Sequence, residues 1–278
     1  MRELLEWLGG GAAIERTLWI GGLCACRVAP LTILAPWLSL RSAPAALRAA
    51  IILALTLALA PLALASAGDP ASLAAGGALG FGVMALREML LGAVFALATA
   101  LPLHALDWAG RLVDTWRGAS LAEVIAPPTG ERTSPLGDLY LMMGVALFVL
   151  LGGHRVAIEA FAEGLRIAPL GEIALEPSAQ RIALGGLRLA GNALAFAAAI
   201  AAPAAVAIVL VEMSLGLIAR AAPQIPIFFA GMPLRAATGL AATLLALSLL
   251  MSELPAAFSD AIDSASWLLQ AGALSPSP

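Results

Sequence analysis

Apolar residues fill this chain in long runs that single charges and prolines interrupt. Thr17 to Cys26 and Val28 to Leu40 flank Arg27, and Ala49 to Gly68 is split by Pro61. Ala71 to Leu86 and Met89 to Leu106 flank the pair Arg87–Glu88. Leu139 to Gly153 is short, Leu189 to Val211 is the longest uncharged run and carries Pro203, and Ala236 to Ser252 follows. A membrane-spanning helix needs about 20 apolar residues, within a range of ~17–25. The pattern therefore predicts an all-α polytopic membrane protein of about six kinked spanning helices, or seven.

The prolines qualify that expectation. Each removes a backbone hydrogen bond and kinks or breaks a helix, and in lipid the freed carbonyl must find a partner on a neighbour. Pro61, Pro102 and Pro203 thus point to helices packed against protein. The abundant Ala and Gly agree, because small side chains let helix backbones approach. A GC-rich genome and ordinary proline kinks in a permease give the same composition.

Two polar stretches interrupt the apolar text. Between Asp107 and Asp138 stand three Arg and five acids. His104, Asp107, Arg111 and Asp114 share an arc of about 80° on a helix. This predicts an amphipathic helix ending near Gly118. Ala119 to Pro135 then contains Pro127, Pro128, Gly130 and Pro135 and cannot form one regular helix. Such a segment sits in water or lines a cavity. In the second stretch, His154 to Arg188, the residues Arg155, Glu159, Glu163 and Arg166 again share one arc, at pairing spacing. A helix at an interface fits this pattern, and so does a solvated helix face.

Composition narrows the function classes. Of 278 residues, 61% are hydrophobic and 12% charged, and mean hydropathy is +0.96. Soluble domains carry about 25% charge, so a soluble enzyme or a disordered chain is excluded. The net charge of −3 offers no basic excess for phosphates, so no nucleic-acid partner is expected. All 15 cationic residues are Arg, which keeps its charge when desolvated. Cys24 and Cys26 point to different sides of a helix and read as small apolar fillers. The N-terminal segment, with Glu3, Glu6 and an apolar run broken by Gly9 to Gly11, is not expected to act as a cleavable signal. The loop after Leu189–Val211, the longest run, holds Arg220 and Arg235 against Glu212, which favours a cytoplasmic 212–235 segment.

Recognisable chemistry is sparse. The two histidines, His104 and His154, form no zinc motif, and neither a nucleophile elbow nor a lysine-bearing phosphate loop occurs. Neither an enzyme nor a bound cofactor or metal is expected. The charges within apolar surroundings carry more information: Arg27, Arg87, Glu88, Glu212 and Arg220 each cost a few kcal/mol on insertion scales, and by default mark a pathway or a subunit contact. Glu212 and Arg220 lie on one helix face about 12 Å apart. They cannot pair directly, so each needs another partner.

From Pro203 to Arg235 the text reads PAAVAIVLVEMSLGLIARAAPQIPIFFAGMPLR. With Glu212, Gly216–Leu217, Arg220, Pro223–Gln224, Phe228, Pro233 and Arg235, it resembles the FliR/SctT family of bacterial type III secretion and flagellar export. The text from Arg27 to Pro61, REMLLG at Arg87 to Gly92, and the stretch from Ala109 to His154 resemble further family markers, in order, over roughly residues 14–255. Pro226 and Ile227 depart from a common Asn-Val, Arg235 from a common Lys, and Trp116 from a common Gln.

The resemblance implies an all-α, non-enzymatic channel component, its hairpins packed into a helical export-gate assembly in the bacterial inner membrane, within the secretion-system basal body. It implies SctR/FliP-type, SctS/FliQ-type and SctU/FlhB-type partners, with membrane lipid around the chain and exported polypeptides in transit. Residues 1–188 would resemble the FliP/SctR-like part. Residues 189–253 would form a FliQ/SctS-like hairpin, and 254–278 a tail that reads as a short helix and a frayed end. The central loop, about 110–135, would act as a pore plug, with Gly110, Trp116, Arg117, Gly118, Pro127, Pro128 and Ser134 in or beside it. Subunit contacts would fall on Arg27, Glu88, Glu212, Gly216, Arg220, Pro223, Gln224, Phe228, Pro233 and Arg235. The residues alone leave one rival, a small-molecule transporter built of proline-broken helices. It predicts an internal repeat, and no convincing one is seen.

Overall fold

The computed structural model describes residues 11–39, 43–67, 77–118, 134–171, 179–224 and 226–273. Every regular element among them is helical. They are α1 (Gly11–Val28), α2 (Leu31–Leu34) with a 3-10 turn at Pro36–Leu38, α3 (Ala45–Ser66), α4 (Gly77–Trp116), α5 (Pro135–Leu150), α6 (Gly153–Ile167), α7 (Ala179–Ala221) and α8 (Ile227–Ala273). Among the described residues five helical stretches are long and apolar enough to cross a membrane, or six if α5 and α6 count as one broken span. The chain is thus an all-α, multi-pass membrane protein.

The elements differ from the apolar runs in instructive places. Val28 to Leu40 does not make a helix of its own, because Pro30 and Pro36 cut it into α2 and the 3-10 turn. Conversely, α4 runs without a break through Arg87–Glu88 for 40 residues. It absorbs the predicted amphipathic helix and ends where Gly118 takes a left-handed φ of 81°. The C-terminal region is no short helix: α8 continues to Ala273, with Pro233 and Pro255 inside it. At 1.5 Å per residue, α4, α7 and α8 have contour lengths of about 60–70 Å, twice the ~30 Å hydrocarbon core of a bilayer.

The chain divides into two compact units, and α4, α7 and α8 each contribute to both. One comprises residues 1–100, 152–189 and 260–278. Its core is built by α1 packing on α3 and by the buried halves of α4 and α6. Trp19 meets Phe81 edge-on at 4.7 Å and Phe95 meets Phe161 at 5.3 Å. The amphipathic reading of α6 holds here. Ala157, Phe161 and Leu165 are buried, while Arg155, Glu159, Glu163 and Arg166 lie exposed.

The other unit comprises residues 101–151 and 190–259. In it Phe148 packs on Phe258 at 4.5 Å, and Leu106 fills the space left by Gly144. Within it α7 buries a single seam, Ala193, Ala197, Ile200, Ala204 and Ile208, at the three- and four-residue spacing of one helix face. Near the facing ends of α7 and α8 a Cβ on Gly231 would lie 3.0 Å from the Leu215 side chain.

Candidate functional site

Two buried carboxylates organise the polar residues. The first is Glu88, midway along α4 and fully buried. Arg27, at the end of α1 and 1% exposed, donates from Nε to Glu88 Oε2 at 2.5 Å, and its Nη2 lies equally close to the same oxygen. Arg27 Nη1 also donates to the carbonyls of Ala168 at 2.8 Å and Gly164 at 3.4 Å. Those carbonyls lie at the C-terminal turn of α6, where a cation is favoured by the helix dipole, and the Gly164 carbonyl also accepts from the Ala168 N–H at 3.0 Å. Arg87 Nη1 donates to Glu88 Oε1 at 3.1 Å, and the Gly171 N–H makes a long contact of 3.5 Å to that oxygen. One carboxylate thus faces two buried guanidiniums. Gly92, one turn beyond Glu88, lets α4 and α1 touch backbone to backbone, since a Cβ there would collide with the Arg27 carbonyl.

The second carboxylate is Asp114, 5% exposed near the end of α4. Its Oδ1 accepts from Arg117 Nε at 2.6 Å, one helical turn on. Its Oδ2 accepts from the Ser134 hydroxyl at 2.5 Å and from the Leu136 N–H at 3.0 Å. Ser134 is also the N-cap of α5, accepting from the Gly137 N–H at 3.1 Å. Gly110 lies so close to Leu136 and Gly137 that a Cβ would overlap their backbone. Arg111 Nε sits 2.9 Å from both oxygens of Asp107. The polar arc of α4 is therefore largely turned onto α5: only Arg111 among Asp107, Arg111 and Asp114 is substantially exposed.

A third polar group lies at the α7–α8 turn. Glu212 on α7 and Arg235 on α8 approach to 3.4 Å, both partly exposed. Gly216, Arg220, Pro223, Gln224 and Pro233 are all exposed. Among the described residues no group of three or more His, Cys, Asp or Glu could hold a metal ion.

The family model for bacterial export proteins, family 1, matches residues 18–261. The chain belongs to that family. It is 30% identical over 151 residues to the Yop proteins translocation protein T of Yersinia pestis, covering 54% of this chain and 58% of that protein. It is 25% identical over 233 residues to the flagellar biosynthetic protein FliR of Caulobacter vibrioides, covering 84% and 89%. It is 29% identical over 150 residues to the secretion system apparatus protein SsaT of Salmonella typhimurium, covering 53% and 56%. The chain thus spans less than two thirds of the Yersinia and Salmonella relatives. The family and these relatives carry the names of export-apparatus proteins and not of enzymes. These names lend no support to the small-molecule transporter.

In this export-family chain the predicted plug residues Gly110, Trp116, Arg117, Gly118 and Ser134 border the segment that joins α4 to α5, whereas Pro127 and Pro128 lie outside the described residues. Arg27 and Glu88, expected at subunit contacts, pair with each other inside the chain. Glu212, Gly216, Arg220, Pro223, Gln224 and Pro233 lie exposed around one turn, Arg235 is half-buried beside them, and Phe228 opens α8. Sequence reasoning gave Asp114 no site role. Its signal was the spacing Asp114-x-x-Arg117, which suits a helical ion pair.

Proposed function

We propose that this chain is a structural and channel-forming component of a type III secretion or flagellar export apparatus. It helps to form and plug the portal through which unfolded proteins cross the bacterial inner membrane. The observation that carries this reading is the outer face of α7. Exposed apolar side chains run along it from Leu184 through Leu194 and Val206 to Leu217, about 50 Å of helix. A bilayer covers only ~30 Å of that length. The rest needs protein partners, and the exposed Glu212 on the same helix is costly in lipid alone.

The partners are SctR/FliP-type, SctS/FliQ-type and SctU/FlhB-type proteins, with residues 189–253 serving as the SctS-like hairpin and the 110–135 region as the plug. The test is co-expression with SctR- and SctS-type proteins, followed by affinity purification and native mass spectrometry. A discrete complex holding one copy of this chain is expected. A stable lone chain that ignores those neighbours overturns the reading. Deleting residues 119–128 is expected to leave assembly intact and make the membrane leak ions, and unchanged permeability overturns the plug.

A further inference from the structure

Arg27, Arg87 and Glu88 set two positive charges against one negative charge. Arg27 spreads its guanidinium over Glu88 and over the Gly164 and Ala168 carbonyls. The C-terminal end of α6 offsets part of its charge as well. Arg87 is served less well. It reaches Glu88 through Nη1 alone, at 3.1 Å. Its Nη2 is buried and meets no acceptor among the described residues, and the side chain as a whole is only 9% exposed. A buried donor without an acceptor is costly, and so is a buried cation without a full counter-charge. The excess charge of the cluster therefore rests on Arg87.

The position of Arg87 on α4 indicates the side from which a counter-charge can come. Leu79, Val83, Leu86, Leu90 and Leu97 on this helix are exposed. At about 100° per residue they fall within one strip roughly 60° wide, and Arg87 lies about 40° from its edge. The strip is about 27 Å long, close to the ~30 Å hydrocarbon core of a bilayer, and Arg87 stands near its middle. Lipid tails cover such side chains but bring no acceptor to a guanidinium. Phosphate headgroups lie at the two ends of a strip of this length. A helix of another protein brings both apolar side chains for the strip and a carboxylate for the arginine. We infer that this strip of α4 is a docking face for a partner helix that carries one Asp or Glu among apolar residues, and that this carboxylate completes the cluster by accepting from Arg87 Nη2. The inference rests on the assembly reading above and adds to it one defined contact.

The test uses the full chain co-expressed with SctR- and SctS-type proteins. Arg87→Leu leaves Arg27 and Glu88 as a one-to-one pair. It is expected to leave the unfolding midpoint of the purified lone chain unchanged or raised, and to lower the yield of complex severalfold. Arg87→Lys, which keeps the charge, is expected to recover part of that yield. A residue that served only the fold would instead lower the midpoint of the lone chain, and that result overturns the inference. Should Arg87→Leu fail to fold, a benzophenone amino acid in place of Leu90 keeps the cluster intact. It is expected to crosslink to an apolar, acid-bearing helix of a partner. Changing that acid to its amide should lower the yield as Arg87→Leu does, with no further loss when the two are combined. Full yield with Arg87→Leu, or crosslinks from position 90 to lipid alone, overturns the docking face and leaves the export reading standing wherever the unaltered chain assembles. Glu172→Gln and Glu176→Gln change acids of this chain outside the described residues and are expected to leave the yield unchanged. A severalfold loss from either assigns the second carboxylate to the chain itself and overturns the inference. Failure of the unaltered chain to assemble overturns the export reading, and the contact with it.

Discussion

Glu88 and Asp114 are both carboxylates sealed inside a chain made mostly of apolar residues, and both are met by arginine and by backbone N–H. They differ in how far along the sequence those partners lie. Glu88 draws Arg27 from 61 residues away and Gly171 from 83, and Arg27 reaches on to Gly164 and Ala168, 137 and 141 residues distant. Asp114 draws on residues 3, 20 and 22 positions away. The same chemistry therefore serves two ends. The Glu88 group ties α1, α4 and the end of α6 into one core. The Asp114 group joins the end of α4 to the start of α5.

The largest expected effect tests the Glu88 side. Glu88→Gln leaves two guanidiniums buried without a counter-charge, and breaking a buried pair in this way costs about 3–5 kcal/mol. The variant is expected to lose most of its membrane abundance, and its unfolding midpoint in denaturant should fall sharply. Replacing Arg27, Arg87 and Glu88 together by Met, Met and Leu should cost less than Glu88→Gln alone, since no orphaned charge remains. Asp114→Asn keeps two of its three hydrogen bonds and should lose about 1–3 kcal/mol. Equal losses for Glu88→Gln and Asp114→Asn would break the comparison.

The glycines beside each carboxylate sharpen it. Gly92→Ala would drive a Cβ into the Arg27 carbonyl, and Gly110→Ala would drive one into the Leu136–Gly137 backbone. Forcing a methyl into a packed contact costs about 1–3 kcal/mol. Both are expected to lower the unfolding midpoint, but only Gly110→Ala should also change ion leak in the assembled complex, because it moves the base of segment 119–133. Gly216→Ala is the control. Nothing lies within 4 Å of its Cβ position, and Ala in a helix interior is favoured over Gly by about 1 kcal/mol.

Much of this architecture could be read from the chain, and the exceptions have a common cause. The runs Ala49–Gly68 and Leu189–Val211 became helices α3 and α7, and Glu163 pairs with Arg166 at 3.1 Å as the local spacing predicts. Arg87–Glu88 read as a break between two runs because unpaired charge is expensive in lipid. In the structure Glu88 is met by both Arg87 and Arg27, and Arg27 also donates to carbonyls at the end of α6, so these buried charges have partners and the helix continues. No local rule joins position 27 to position 88, or position 114 to 134 and 136. Such pairings are set by packing, and periodicity along one helix says nothing of them. Glu212 was expected to need a partner other than Arg220, and the hairpin reading of 189–253 already contained the residue it meets, Arg235 on α8.

That last pair yields the smallest expected effect on the chain itself and separates internal from external use of a charge. Glu212 and Arg235 approach only to 3.4 Å with 48% and 31% of their side chains exposed, and ion pairs of that exposure contribute about 0–1 kcal/mol. Exchanging them, Glu212→Arg with Arg235→Glu, preserves an opposite-charge pair and reverses the sign presented on the exposed face of α7. The unfolding midpoint of the purified chain should therefore hardly move. If α7 meets a partner through that face, the yield of the complex with SctR- and SctS-type proteins should fall severalfold, because like charges then meet across a poorly solvated contact. The same exchange at the first carboxylate, Arg27→Glu with Glu88→Arg, should do the reverse and destabilise the lone chain. A reversed Glu88 position brings a cation beside Arg87, and a reversed Arg27 position brings an anion onto the α6 carbonyls that now accept from Arg27. A swap at Glu212 and Arg235 that leaves complex yield untouched would assign that pair, like Arg27 and Glu88, to the interior economy of the chain.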